Sequence, residues 1–247
     1  ALLRRFQRYP VTSAVAIAVV DVACITVVTL AVMALAPSVQ PEFIALLVVT
    51  LLTAGFVTLL GWWRVTGFNP PGAWRALSLL LLPAGVIIVP PLIGGLAPVE
   101  GFSLPYLLLA YILVGLHEET LYRGVILRVL RPTGVRRAAV ISAVLFGAAH
   151  LANVLVRSNP YVVVAQAVGA FCFGVGFSAL RLRTNTIWFL IGLHAVHDLL
   201  LRYTQWPVIP LDVVQVTILL VYGLYLLRNW EGIQEEPNVG HTTASVH

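Results

Sequence analysis

Residues 104–130 read LPYLLLAYILVGLHEETLYRGVILRVL. This stretch is long enough to cross a bilayer, which requires about 20 predominantly apolar residues. It nevertheless carries Glu118, Glu119 and Arg123 inside the span. Because a charged side chain at mid-bilayer costs roughly 2.5 to 3.5 kcal/mol, these groups must avoid lipid. The stretch therefore predicts a transmembrane helix whose polar side chains face the interior of a helical bundle.

The rest of the chain has the same apolar character. Of its 247 residues, 60% are hydrophobic and 10% are charged, and the mean hydropathy is +0.95. Runs long enough to span a bilayer recur at 11–36, 42–63, 77–97, 104–130, 138–156, 161–181, 184–203 and 212–228. We expect an all-α, polytopic membrane protein with about eight transmembrane helices that enclose a polar intramembrane cavity.

A single transmembrane catalytic domain is expected over 1–230, with its motifs between 104 and 203. The third apolar run contains Pro90 and Pro91, which predict a kink or break whose freed backbone groups must be satisfied by neighbouring helices or by a cavity. Residues 231–247 are polar and lack apolar periodicity, so we expect a disordered cytoplasmic tail there.

The distribution of charge predicts the orientation of the helices. The 15 basic residues are all arginine, and they flank the apolar runs rather than form one basic stripe, which argues against nucleic-acid binding. With the amino terminus inside, the outer loops hold only Arg157 and Arg202. Twelve arginines then fall in cytoplasmic segments, namely Arg4, Arg5, Arg8, Arg64, Arg75, Arg128, Arg131, Arg136, Arg137, Arg181, Arg183 and Arg228. Both termini should therefore be cytoplasmic.

Two later helices also carry polar side chains. The fifth contains Phe146 and His150, and the seventh contains His194 and Asp198. At a rise of about 1.5 Å per residue, Glu118 and His194 both lie roughly 15 Å from the cytoplasmic edge. The corresponding depths of His150 and Asp198 are roughly 18 and 21 Å. The polar groups thus converge at one depth, in a cavity that we expect to open toward the cytoplasm.

Helical spacing separates the two neighbouring glutamates. Glu119 and Arg123 are four residues apart and predict an ion pair on one face. Glu118 is rotated by about 100° from Glu119 in an α-helix, so it remains the reactive carboxylate. Three further polar side chains, Asp21, His117 and His197, lie outside this pattern, and we expect packing or supporting hydrogen bonds for them.

The residue types of this cluster fit more than one chemistry. A carboxylate beside an imidazole can activate water for peptide hydrolysis, and a second imidazole with a short polar partner can stabilise an oxyanion. The same four side chains, Glu118, His150, His194 and Asp198, are also acceptable zinc ligands. An ion or proton relay in a transporter, or a catalytically inactive membrane scaffold, would use similar groups.

Three short motifs occur in order on the fourth, fifth and seventh helices, namely Glu118-Glu119-x-x-x-Arg123, Phe146-x-x-x-His150 and His194-x-x-x-Asp198. In residue type, order and spacing they resemble the CAAX protease and bacteriocin-processing family, which includes the Ras-converting CAAX endopeptidases. Each motif alone is weak, whereas the three together are specific. The resemblance implies an intramembrane endopeptidase that acts on a membrane-associated protein or peptide.

The resemblance also implies roles for the motif residues. Glu118 and His150 would activate the water, while His194 and Asp198 would stabilise the oxyanion. The side chains that would shape the site are Glu119, Arg123 and Phe146. The family has been described both as metalloproteases and as glutamate-dependent, metal-free peptidases, and we favour the second description.

Asp198 departs from the Asn that is often found at its motif position in the family. An ionised carboxylate would repel an oxyanion, so Asp198 must be protonated, orient His194 or bind a metal. Prenylated CAAX proteins are the eukaryotic-type substrate of the family. Because the loops are short and no organelle signal is apparent, we expect a prokaryotic cell membrane.

Overall fold

The computed structural model describes residues 2–36, 40–155 and 157–228, so the predicted tail 231–247 lies outside the described residues. Within this part the chain is helical, and its extended pairing is limited to a single bridge between Leu96 and Thr204. The α-helices are α1 (Leu2–Arg8), α2 (Pro10–Leu35), α3 (Pro41–Leu60), α4 (Leu81–Gly94), α5 (Leu104–Glu118), α6 (Leu127–Leu130), α7 (Val135–His150), α8 (Pro160–Thr184), α9 (Trp188–Tyr203) and α10 (Val208–Arg228). The predicted all-α class is confirmed.

Shorter helical segments extend several of these α-helices. A π-helix, Glu119–Ile126, joins α5 to α6. The 3₁₀ segments are Trp74–Leu80 before α4, Arg131–Thr133 after α6 and Leu151–Leu155 after α7.

In the described part of the chain, seven continuous helical stretches are long and apolar enough to cross a membrane, namely Pro10–Leu35, Pro41–Leu60, Trp74–Gly94, Leu104–Thr133, Val135–Leu155, Pro160–Thr184 and Val208–Arg228. The predicted helix that is missing from these seven is the seventh, 184–203, which corresponds to α9 with 16 residues. At about 1.5 Å per residue it spans roughly 24 Å, less than the hydrocarbon core of about 30 Å. The chain is thus an integral, multi-pass membrane protein, in which α9 is shorter than a full span.

The helix α4 continues through both prolines, and a neighbouring helix compensates for their missing N–H groups. In an α-helix the carbonyls of Val86 and Ile87 would accept from residues 90 and 91, which are Pro90 and Pro91. Gln215 on α10 donates its side-chain Nε2–H to these two carbonyls at 2.8 and 3.3 Å. The partner that the sequence required therefore comes from α10.

Glycines allow two pairs of helices to approach closely. A Cβ atom on Gly223 of α10 would lie 2.7 Å from Cα of Gly176 on α8. A Cβ atom on Gly115 of α5 would lie 2.7 Å from the carbonyl oxygen of Ile191 on α9. Small residues permit this kind of backbone contact between membrane helices. The approach at Gly115 is the one that positions the candidate site, because it brings the end of α5 next to α9.

Arginines from two helices satisfy the last carbonyls of α10. Arg136, in the first turn of α7, donates to the carbonyl of Leu227 at 3.0 Å, and Arg183, in the last turn of α8, donates to that of Leu226 at 2.6 Å. Basic side chains are favourable at a helix carboxyl end. The start of α7 and the ends of α8 and α10 therefore lie at one end of the bundle, in agreement with the predicted alternation of the helices.

Candidate active site

The polar part of the fourth predicted helix is a π-helix rather than the regular α-helix that the sequence suggested. It begins at Glu119, directly after α5, and all of its residues are buried. The hydroxyl of Ser142, on α7, donates a hydrogen bond of 2.7 Å to the carbonyl of Tyr122 inside this segment. Glu118 and Glu119 keep α-helical dihedrals (φ −69°, ψ −42° and φ −66°, ψ −41°), so the rotation of about 100° between them still applies at the point where the chain enters the π-helical segment. Such segments are frequent at functional sites.

The buried side chain of Glu119 binds two partners. Its Oε1 lies 3.3 Å from Nη1 of Arg123, so the predicted ion pair is present. The same oxygen accepts a hydrogen bond of 2.8 Å from Nδ1 of His194 on α9. The side chains of Glu119 and Arg123 are 0% and 1% exposed. Glu119 is therefore more than a counter-charge for Arg123, because it also orients the imidazole of His194.

The other ring nitrogen of His194 faces two carboxylates. Its Nε2 lies 3.6 Å from Oε2 of Glu118 and 3.8 Å from Oδ2 of Asp198. The side chains of Glu118 and Asp198 are 22% and 27% exposed, whereas that of His194 is 7% exposed. Glu118 and Asp198 thus form the accessible side of the cluster. The structure brings these three candidate residues together from two helices.

The second motif meets the cluster through the ring of Phe146. The guanidinium carbon of Arg123 lies 4.0 Å from the centre of this ring, which favours a cation–π interaction. The ring centres of His150 and His194 lie 4.7 and 6.4 Å from that of Phe146. Phe146 therefore adjoins side chains of all three motifs and shapes the space between them.

The spacing of the second motif also fixes the imidazole of His150. Its Nδ1 lies 2.8 Å from the carbonyl oxygen of Phe146, one helical turn earlier. A carbonyl only accepts, so Nδ1–H is the donor and Nε2 keeps a lone pair in the neutral ring. Within the described residues, His150 forms no direct hydrogen bond or ion pair with Glu118. The two residues predicted to activate water are therefore near one cluster but not in mutual contact.

The predicted zinc ligands do not assemble as a metal site. In the described part of the chain, no three His, Cys, Asp or Glu side chains have an arrangement that could hold a metal ion. The geometry therefore gives no support to the zinc set of Glu118, His150, His194 and Asp198.

A separate polar group joins α2, α3 and α5. Nε2 of His117 lies 3.1 Å from Oδ1 of Asp21, and Nδ1 of His117 lies 3.1 Å from Oγ1 of Thr53. Asp21 and Thr53 border a largely apolar cavity of about 570 Å³, which none of the four candidate catalytic side chains lines. Asp21 thus has a supporting polar contact with a neighbouring helix, which is one of the roles expected for it. The predicted polar opening toward the cytoplasm stays a prediction.

One acidic residue next to the cluster did not stand out in the sequence. Asp212, near the start of α10, lies with Oδ1 3.4 Å from Nε2 of His197. An acidic residue in the first turns of a helix is ordinary, so its position alone gives little signal. The only indication in the sequence was that Asp212, an acidic residue, occurs at the edge of the predicted span 212–228.

Comparison with known protein families matches residues 100–200 to the family described as type II CAAX prenyl endopeptidase, Rce1-like. The matched segment contains all three motifs, from Glu118 to Asp198. No curated protein and no solved structure matches the chain. The matched segment also contains the three residues that supply the carboxylates around His194, Glu118, Glu119 and Asp198. Over this segment the chain is therefore similar to the type II CAAX prenyl endopeptidases of the Rce1-like family.

Proposed function

We propose that the protein is an intramembrane endopeptidase that cleaves a membrane-associated substrate by means of a water molecule activated at Glu118. The observation that carries this proposal is the position of His194, which is held by a buried carboxylate on one nitrogen and faces Glu118 and Asp198 with the other. Intramembrane carboxylates are rare and usually functional. The family match over the same residues supports peptide hydrolysis as their function.

In the proposed reaction, Glu118 and His150 act on a water molecule. The Glu118 carboxylate is partly exposed, so water can reach it. Nε2 of His150 is available as an acceptor, because Nδ1–H is committed to the Phe146 carbonyl. A water bridging these two groups would fit the lack of a direct contact between them. Glu118 takes a proton from this water, and the resulting hydroxide attacks the carbonyl carbon of the scissile bond.

His194 is the proposed donor to the tetrahedral intermediate. Because Nδ1–H donates to Glu119, the ring must also carry a hydrogen on Nε2 to stabilise an oxyanion. Three carboxylates surround the ring and favour this doubly protonated form. Glu118 then returns its proton to the amine nitrogen and the C–N bond breaks. The products are an amine and a carboxylic acid, which loses its proton to water and becomes a carboxylate.

The proposed substrate class follows the family description. A prenylated CAAX-type peptide is the first substrate to test, since the matched family is described as prenyl endopeptidases. The substrate would lie in the membrane, where α5, α7 and α9 carry the reacting groups. A prokaryotic membrane, with both termini cytoplasmic, is the proposed location.

The decisive experiment uses the purified chain in nanodiscs with a farnesylated, fluorogenic CAAX peptide. The wild-type protein should cleave the peptide, and Glu118→Gln should lower kcat by roughly the 10²- to 10⁴-fold typical of a lost general base. Glu100→Gln, in an exposed turn, is the matched control and should keep full activity. Cleavage by Glu118→Gln at the wild-type rate would show that the proposed base is wrong.

The metal question needs a separate measurement. We propose a metal-free reaction, so prolonged dialysis against 1,10-phenanthroline should leave kcat unchanged. Loss of activity that is restored by a stoichiometric amount of Zn²⁺, but not by Mg²⁺, would favour the metalloprotease description instead. Elemental analysis of the active fractions provides an independent readout.

A further inference from the structure

A buried imidazole on α9 lies between two carboxylates beside the proposed site. Nδ1 of His197 is 3.5 Å from Oδ1 of Asp198, and Nε2 is 3.4 Å from Oδ1 of Asp212 on α10. The side chain of His197 is 7% exposed, and that of Asp212 is 31% exposed. These separations are typical of ion pairs rather than of short hydrogen bonds, so electrostatic attraction is the main contribution. His197 thereby links α9 to α10 through charge.

Asp198 connects this pair to the proposed chemistry. Its Oδ1 faces His197, while its Oδ2 lies 3.8 Å from Nε2 of His194. The ring of Phe173 on α8 packs against both imidazoles, with centre distances of 4.9 Å to His194 and 5.2 Å to His197. Imidazoles and carboxylates therefore alternate from His194 to Asp212, and one aromatic ring supports both imidazoles.

This alternation of imidazoles and carboxylates compensates the negative charge of Asp198. Glu118 and Asp198 both approach Nε2 of His194, so an uncompensated Asp198 would compete with Glu118 for the imidazole and would oppose an oxyanion. The imidazole of His197, 3.5 Å from Oδ1, can stabilise the carboxylate electrostatically on the side away from His194. A carboxylate that orients an imidazole in this way is a common supporting arrangement. Asp212 is in the position to orient His197.

We propose that His197 and Asp212 are positioning residues for peptide hydrolysis, which hold the Asp198 carboxylate so that His194 can serve the reaction. This inference rests on the proposed function. It predicts that Asp212→Asn lowers kcat by roughly 10- to 100-fold, as removal of such supporting carboxylates does elsewhere, and leaves KM within about twofold.

A double-mutant cycle separates positioning from general structural support. The cycle compares kcat of wild type, Asp212→Asn, Asp198→Asn and the double variant in nanodiscs. Once Asp198 carries no charge, His197 has no carboxylate to hold on that side, so Asp212→Asn should have no further effect. Multiplicative effects of the two substitutions would mean that Asp212 acts independently of Asp198 and would overturn the inference.

The other buried Asp–His pair provides the matched control. Asp21 lies 3.1 Å from His117 and belongs to the group between α2, α3 and α5. Asp21→Asn should therefore combine with Asp198→Asn multiplicatively, whatever its effect on folding. Coupling of the same size for Asp21 and Asp212 would indicate a general effect on the bundle and would also count against a positioning role.

A readout without turnover distinguishes failure of this inference from failure of the proposed function. In protein labelled with ¹⁵N-histidine, His197 is assigned by comparison with His197→Gln. Asp212→Asn should shift the Nε2 resonance of His197, and Asp198→Asn should shift Nδ1. Unchanged Nε2 in Asp212→Asn would disprove the contact itself. If these shifts occur but the wild-type protein shows no Glu118-dependent cleavage, the contact is real, and both the proposed function and the catalytic role of the pair are wrong.

Discussion

Oε1 of Glu119 accepts a hydrogen bond from Nδ1 of His194 at 2.8 Å, and the same oxygen lies 3.3 Å from Nη1 of Arg123. One carboxylate oxygen thus compensates a buried guanidinium and orients an imidazole on another helix. The adjacent Glu118 instead faces the accessible side of that imidazole. The pair of neighbouring glutamates therefore divides into a buried member that holds two side chains and an accessible member, which is the proposed base.

Glu119→Gln should impair both stability and catalysis. The neutral amide removes the carboxylate that pairs with Arg123, which is 1% exposed, and breaking a buried ion pair costs about 3–5 kcal/mol. The orientation of His194 is also lost, which we expect to lower kcat by roughly 10- to 100-fold. Thermal unfolding and peptide cleavage in the same detergent measure the two effects. Glu118→Gln is the comparison and should lose activity with little change in melting temperature.

Gln215→Leu should destabilise the bundle without affecting the reaction directly. It leaves the carbonyls of Val86 and Ile87 without their donor, and an unsatisfied buried polar group costs about 1–3 kcal/mol. Val214→Leu, on the exposed side of α10, is the control. In a background with Pro90→Ala and Pro91→Ala, backbone N–H groups return to these carbonyls, so the cost of Gln215→Leu should shrink. An equal loss of melting temperature in both backgrounds would contradict this explanation.

The orientation in the membrane can be tested with single cysteines. In a chain with Cys24→Ala and Cys172→Ala, Ala73→Cys should be protected from an impermeant maleimide added to intact cells, because it lies in a predicted cytoplasmic loop. Ser158→Cys, in a predicted outer loop, should be labelled. Both positions are exposed, so accessibility within the protein does not bias the comparison. The reverse labelling pattern would place both termini outside.

Much of the fold could be predicted from hydropathy, because the thickness of the bilayer sets the length of each apolar run. The convergence of Glu118, His194 and Asp198 also followed, since lipid excludes charged groups and helical rise fixes their depth. The need for a partner at the two prolines of α4 was evident as well. Each of these features depends on one segment at a time.

Features that depend on two helices at once were not predictable in the same way. The contact between Glu119 and His194 joins residues 75 positions apart and depends on the rotation of α5 against α9. The segment that follows α5 is also a π-helix, and the spacing of the apolar residues gave no indication of it. Asp212 reaches His197 only because α10 packs beside α9, and the sequence contains no motif that pairs them. Tertiary packing therefore decided the details of the site.

Gly115→Ala should show how closely the site depends on the approach of α5 to α9. The added methyl would lie 2.7 Å from the carbonyl oxygen of Ile191 and 3.5 Å from Cβ of His194, so the two helices must separate. Overpacking of this kind typically costs about 1–3 kcal/mol. Because His194 would move away from Glu118 and Glu119, we expect kcat to fall by more than the loss of folded protein explains. Peptide cleavage normalised to the folded fraction measures this difference.

The control for this prediction lies on the partner helix. Gly192 of α9 is exposed and has no other atom within 4 Å of an added Cβ, so Gly192→Ala removes a glycine from a helix without any steric conflict. Alanine has the higher helix propensity by about 1 kcal/mol, so the melting temperature should stay the same or rise. Equal activity of Gly115→Ala and Gly192→Ala would mean that the spacing of α5 and α9 does not limit the reaction. A selective loss in Gly115→Ala would instead tie catalysis to the contact of these two helices.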